Sequence, residues 1–526
     1  MFEETQVARK GLVVAALMLA ISLAALDTTV VGTAMPTIVG KLGGLPLFSW
    51  VFSVYLLTST VTVPLYGKLA DLYGRKPVLL FGCGLFLVGS VLCGMADSME
   101  QLIFFRAIQG LGAGAVQPVT LTVIGDLFSI EERARIQGFF SSVWGVTSLA
   151  GPALGGVITD GVSWRWIFLI NLPLGIATIF LLTRYYHETE RSQRQGHVID
   201  YWGTTLLSGS VIALLLGLLQ GVDQYGWIGS PTLGLFGVSA LLLAIFLVQE
   251  GKHPEPVLPL WLFKNKVIAI ASLIGFVTGG LMIGVNSYVP LYAQGVYGGS
   301  AIDAGLIVLP MSLGWPVASL IGGRMILRVG YYPAAMLGGV FLILGTCCLL
   351  LLSRDASVVV AMVSVFLIGM GMGFTMPSVV ISVQNAVEWR HRGIATASTQ
   401  FFRTIGGAIG VAIMGAILTS SMASRLTDIE GVPDGATADR LLTSSQREGL
   451  APEVLVAMQR ALAGSLHEIF YVVVLAAIMA FAIILFFPRG RAQDLAAGAT
   501  GQPAAAGVSP ARAERSPLEA TPSEGS

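Results

Sequence analysis

Apolar runs of about 20 residues, separated by charged breaks, recur from one end of this 526-residue chain to the other. Each is long enough to cross the hydrocarbon core of a bilayer as a helix, the form in which a backbone without water satisfies its own N–H and C=O groups. Fourteen spans follow, at about 12–33, 48–67, 78–95, 102–125, 136–158, 165–183, 202–220, 232–249, 267–291, 304–325, 333–352, 358–385, 394–420 and 467–487. Only 11% of the residues are charged, against about 25% in soluble domains. The expected class is an all-α polytopic membrane protein. Net charge is zero and no basic tract points to nucleic acid. Cys83, Cys93, Cys347 and Cys348 sit in apolar runs without a C-x-x-C pair, and read as packing residues, not metal ligands or disulfides. Arg9 and Lys10 precede the first run as in a signal peptide, but no small-residue cleavage site follows, so the run is kept as span one.

Lysine and arginine set the orientation. With the N-terminus inside, 21 of the 30 fall on the cytoplasmic side and 7 outside, while Arg106 and Arg403 lie in the membrane. Both termini are expected in the cytoplasm and the chain in the cell membrane. The halves also repeat. "GKLADLYGRKP" (67–77) and "GRMILRVGYYP" (323–333) share G-x6-G-x2-P, and "GLGAGAVQP" (110–118) and "GMGMGFTMP" (369–377) share G-x-G-x-G-x3-P, at offsets of 256 and 259 residues. Two matches at nearly one offset argue for an internal duplication, as in transporters that rock two halves around a central site. The expected layout is a cytoplasmic N-terminus (1–11), a six-helix bundle (12–185), a linker with two additional helices (186–266), a second six-helix bundle (267–487) with an external segment 421–466, and a disordered cytoplasmic tail (488–526). Within the external segment, Leu455, Met458, Leu462 and Leu466 form an apolar stripe opposite Gln459 and Arg460. It reads as a helix on the outer rim or as a lid by an exit path.

Among 30 acidic residues only Asp27 lies deep inside a span. It sits about 15 residues, or roughly 22 Å, from the cytoplasmic edge. Arg106 enters its span from the opposite side and reaches the same depth, about 6 Å below the outer boundary. Intramembrane charges of this kind are costly and mark ion pathways, so both are expected to face an aqueous cavity, with snorkelling the alternative for Arg106. A carboxylate there can load and release a proton as its surroundings change. Arg106 modulates that exchange, and Gln109, one turn along, joins the network. One proton crossing about 100 mV supplies about 2.3 kcal/mol, roughly a fifty-fold gradient of a neutral solute. No GxxxxGK[ST] is present, so no nucleotide cofactor is expected, nor an enzyme of the HExxH or GxGD type.

Gly67, Asp71, Gly74 and Arg75 form a candidate gate in the loop between spans two and three, or an ordinary positive-inside turn. Arg403 could serve that gate or snorkel. "SLAGPALGG" places Gly151, Pro152, Gly155 and Gly156 in span five, where they kink and pack the helix. Trp144, Asn286, Tyr288 and Trp315 are candidate cavity residues.

"LDTTVVGTAMP", "GKLADLYGRKP", "RAIQGLGAG" and "LAGPALGG", in this order, resemble the motifs of the fourteen-span drug:proton antiporter-2 family of the major facilitator superfamily, over about residues 10–490. Leu72 stands where a basic residue is commoner in that family. The resemblance implies two six-helix halves plus two inserted helices, and proton-coupled export of lipophilic, cationic or neutral compounds by alternating access. The arginine of its fourth-helix motif falls on Arg106, and its antiporter motif on Gly151–Gly156. The implied partners are a small lipophilic substrate, protons and the lipid bilayer, with a monomer as the working unit. Alternatives are export of a lipid, siderophore or other metabolite on the same fold and, from a different class, a non-transporting membrane sensor.

Overall fold

The computed structural model describes residues 2–42, 48–129, 161–188, 200–253, 258–299, 301–354, 356–426 and 452–489, with Pro256 and isolated helical positions between 132 and 159. The main helices are α1 (Phe2–Leu42), α2 (Phe48–Tyr73), α3 (Arg75–Gly94), α4 (Met99–Leu127), α5 (Asn171–Tyr185), α6 (Tyr201–Leu216), α7 (Ser230–Glu250), α8 (Lys266–Gly295), α9 (Ala301–Val329), α10 (Tyr331–Leu349), α11 (Val358–Asn385), α12 (Arg392–Leu426) and α13 (Pro452–Ile484). A short turn, Trp166–Leu169, leads into α5. Among the described residues, twelve helices are long and apolar enough to cross a membrane, and α6 contributes a shorter apolar stretch, Trp202–Leu216. The expected span 136–158 falls largely outside the described residues. The count therefore stands at twelve long helices and α6 where fourteen spans were expected.

The two glycine repeats are the packing code of the fold. In α4, a Cβ on Gly110 or Gly114 would collide with α2 at Tyr55, Thr58, Ser59 and Thr62, while one on Gly112 would strike Gly82 and Phe86 of α3. In α11, Gly369 and Gly373 press in the same way on Met311, Trp315 and Ala318 of α9, and Gly371 on Leu342 of α10. Alternate glycines thus let one central helix touch two neighbours at once, which is how helices gain dispersion contact where lipid offers no hydrophobic drive. Gly74 and Gly330, also 256 residues apart, open α3 and α10 with φ of +98° and +96°, a left-handed region that other residues enter at a cost. Large side chains such as Phe81, Phe104, Phe180, Leu241 and Val248 point outward, as lipid-facing residues do. The helices α6 and α7 pack on each other, and α6 also lies against α2.

One expectation changes at the end of the chain. Neither a rim helix nor a lid is formed by residues 452–466: they are the first half of α13, continuous with the last span. Met458, Leu462 and Leu466 are fully buried beside Tyr292 and Phe470. Gln459 is buried too, so the stripe is wider than its apolar periodicity predicted. Residues 427–451 lie outside the described residues.

Candidate functional site

Asp27 and Arg106 meet. Arg106 Nη1 lies 2.5 Å from Asp27 Oδ2, and each residue is about 1% exposed. Because Arg106 and Gln109 are three apart on α4, they share a face, and that face is turned on Asp27 of α1. Gln109 Nε2 donates to Asp27 Oδ1 (2.7 Å), and Gln109 Oε1 accepts from Arg106 Nη1 (2.8 Å). Two residues that sequence reasoning passed over complete the cluster. Asn171, the first residue of α5, donates through Nδ2 to Asp27 Oδ1 (3.3 Å) and to Ser90 Oγ (2.9 Å). Ser90 of α3 accepts from Gln109 Nε2 (3.3 Å) and donates to the Phe168 carbonyl (2.8 Å). Polar residues inside the apolar runs "LVGSVLCG" and "FLINLPLG" were the available signal. Gly89 lets α3 reach α4 at Gln109, where a Cβ would strike Gln109 backbone. On the α2 side, Arg106 Nε donates to the Val51 carbonyl (3.3 Å), and the guanidinium lies 4.2 Å over the Tyr55 ring. The expectation that both charges face an aqueous cavity is corrected: they are enclosed among five helices, α1 to α5. Their repeat counterparts in α11 are Val365 and Ile368, both fully buried, so this cluster belongs to one half alone.

A second cluster ties the halves together at the end of the bundle that carries the arginine-rich loops. Asp71 pairs with Arg75 Nη2 (2.8 Å) and accepts from the backbone N–H groups of Gly393 (3.0 Å) and Ile394 (2.7 Å) at the start of α12. A carboxylate there complements the free amides and dipole of a helix N-terminus. Gly67 permits that approach, since its Cβ would collide with Ala397. Arg75, 1% exposed, also binds Asp126 Oδ2 (2.9 Å) and stacks on Trp389 at 4.4 Å. Glu188 receives the Arg75 N–H (2.8 Å) beside Gly74. Asp126 and Asn385 are repeat counterparts, as are Arg133 and Arg392, and the bonds cross. Arg392 Nη1 reaches Asp126 Oδ1 (3.6 Å) while Arg133 Nη1 donates to Asn385 Oδ1 (2.9 Å). Leu72, where a basic residue is commoner, is buried.

Arg403 is not part of this gate. It lies about three turns along α12 from the Asp71 contact and lines a cavity between the halves with Trp315, Met282, Met376, Phe140, Gln117 and Gln400. Gln400 Nε2 donates to Gln117 Oε1 across it (3.1 Å). Of the other cavity candidates, Tyr288 is packed inside the second half, its hydroxyl donating to the Val411 carbonyl (3.2 Å). Asn286 is exposed and outside these walls. Trp144, Pro152 and Gly156 lie outside the described residues. Gly151 presses on Thr29 of α1, two residues beyond Asp27, and Gly155 is buried.

A family profile described as Major Facilitator Superfamily matches residues 17–411. The chain is 39% identical over 429 residues to "Multidrug transporter protein MdtP" of Bacillus subtilis, covering 81% of this chain and 79% of that one. It is 35% identical over 494 residues to "Multidrug resistance protein 3" of the same organism, covering 92% and 96%. Among solved structures, the human organic anion transporter MFSD10 (TETRAN) superposes with a TM-score of 0.59 at 15% identity, over 88% of this chain and 99% of that one, a likeness of fold. Helical packing, internal repeat and sequence kinship agree: this chain is a member of the Major Facilitator Superfamily.

Proposed function

We propose that the protein is a proton-coupled antiporter that exports lipophilic, drug-like small molecules from the cytoplasm by alternating access. The reading rests on one observation above all: the buried carboxylate of Asp27 is enclosed with Arg106 in a hydrogen-bonded cluster. Kinship to proteins named as multidrug transporters supports the class of cargo. The fourteen-span antiporter subfamily, the plasma membrane, cytoplasmic termini and a working monomer belong to the same proposal, as does the absence of enzymatic chemistry and of any cofactor.

In the mechanism, a rearrangement of α1 against α4 and α5 admits a proton to Asp27, which weakens its hold on Arg106. Gln109 and Asn171 then keep the neutral carboxyl in place, since each can turn its amide to donate or accept. Return of the cluster to its closed form expels the proton to the other side. At the cytoplasmic end, Asp71 and the crossed arginine bonds hold the halves shut in one state and part in the other. Everted vesicles loaded by an imposed acidification test the reading. Uptake of a lipophilic dye should follow the proton gradient and collapse with a protonophore. Uptake indifferent to the gradient would overturn proton coupling.

A further inference from the structure

Among the described residues, the cavity between the halves contains a cation, Arg403, with no acidic partner. Arg403 Nη1 lies 3.9 Å from the Met376 thioether, a weak acceptor at best, and the described walls carry no Asp or Glu. The sequence extends the point to the expected span 136–158, which holds no Asp or Glu. Asp27 is committed to Arg106, and Asp71 to Arg75 and the start of α12. Guanidinium does not discharge by losing its proton, so a half-buried Arg403 among Trp315, Met282 and Met376 is left for something outside the chain to satisfy.

We propose that the cavity binds lipophilic compounds bearing one carboxylate, with Arg403 as their counter-ion. The inference rests on the efflux reading for its physiological meaning, and it departs from the cationic or neutral cargo that the family resemblance implies. The guanidinium fork matches a carboxylate bidentately. Trp315, Phe140 and the two methionines supply an apolar, adaptable wall. Gln117 and Gln400, now bonded to each other, can turn to meet a polar group on the cargo. A cation in this space would meet the like charge of Arg403 and no acid among the described walls.

The test uses the full-length protein in nanodiscs and three dyes of one skeleton: dansyl-phenylalanine, its methyl ester and its choline ester, which are anionic, neutral and cationic. Wild type should bind the acid at least about tenfold more tightly than the methyl ester, and the choline ester most weakly. Arg403→Gln should bring acid and methyl ester within about twofold of each other, chiefly by weakening the acid, and the methyl-ester binding that remains reports an intact cavity. Arg403→Lys should keep most of the preference. Equal affinities for acid and ester in wild type, tightest binding of the choline ester, binding of none, or a preference that survives Arg403→Gln would each overturn the proposal. If that variant does not fold, the wild-type order decides alone. Proton-driven uptake of the same dyes is read separately. An acid that binds best while no dye is driven leaves the Arg403 site standing and removes the efflux reading; a driven ester beside an acid that does not bind does the reverse.

Discussion

Enclosing Asp27 and Arg106 takes two charges out of water, a cost that their attraction repays only when the remaining hydrogen-bonding capacity is also filled. Ser90, Gln109, Asn171 and the Val51 carbonyl supply those bonds. Removing one partner should therefore hurt far more than removing charge from both. Arg106→Ala leaves a buried carboxylate unpaired and should cost about 3–5 kcal/mol of stability, read as a lower midpoint of thermal unfolding in detergent, whereas Arg106→Lys should recover part of it. Asp27→Asn keeps the shape and can still accept from Gln109, so the protein should insert normally yet lose gradient-driven transport to the level of empty vesicles. Normal accumulation by the Asn variant would remove Asp27 from the proton path.

Helix contacts in this protein are limited by backbone approach, and the glycines measure it. Gly112→Ala drives a methyl group into Phe86 and Gly82 backbone, and overpacking of this kind costs about 1–3 kcal/mol. Gly84→Ala, half a turn from that contact on α3, meets nothing within 4 Å and should be neutral or stabilising by up to about 1 kcal/mol through helix propensity. Thermal unfolding of the two variants side by side checks the assignment. In α13, Met458→Ala and Leu462→Ala empty fully buried positions and should each cost about 2–5 kcal/mol. Loss of transport without loss of stability in these variants would favour a lid over the core helix described here.

At the scale of the whole molecule, the two halves are related by the repeat but are not equivalent. The Asp27–Arg106 cluster exists in the first half only, and Asn385 stands in the second half where the first has Asp126. The bonds that cross between halves at the arginine-rich end make this the closed end. Asp71→Asn weakens both the Arg75 pair and the cap on α12, so it should slow transport with little effect on dye affinity and raise cysteine labelling at that end. Asn385→Asp should act in the opposite sense: a carboxylate beside Arg133 Nη1 turns a bond from a charged donor to a neutral amide into a full ion pair, holding the end shut and lowering labelling. Unchanged labelling in both variants would leave these residues as ordinary loop contacts.

Much of this was legible in the chain itself. Run length and the two spaced glycine repeats carried the helical class and the duplication, because a bilayer permits few solutions and glycine spacing on a helix has a fixed geometry. The depth match of Asp27 and Arg106 followed from the rise per residue, and Gln109 from the helical turn. Other features depended on which helices become neighbours, which local pattern does not encode. Asn171 and Ser90 joined the Asp27–Arg106 cluster because α5 and α3 converge on α1 and α4. Arg403 moved from gate to cavity because distance along α12, set against the contact at Gly393, carries it away from Asp71. Residues 452–466 left the surface because α13 continues through them into a core whose other walls, Tyr292 and its neighbours, lie more than 150 residues earlier in the chain. Sequence period fixes the face a helix presents; only the packed bundle decides what that face meets.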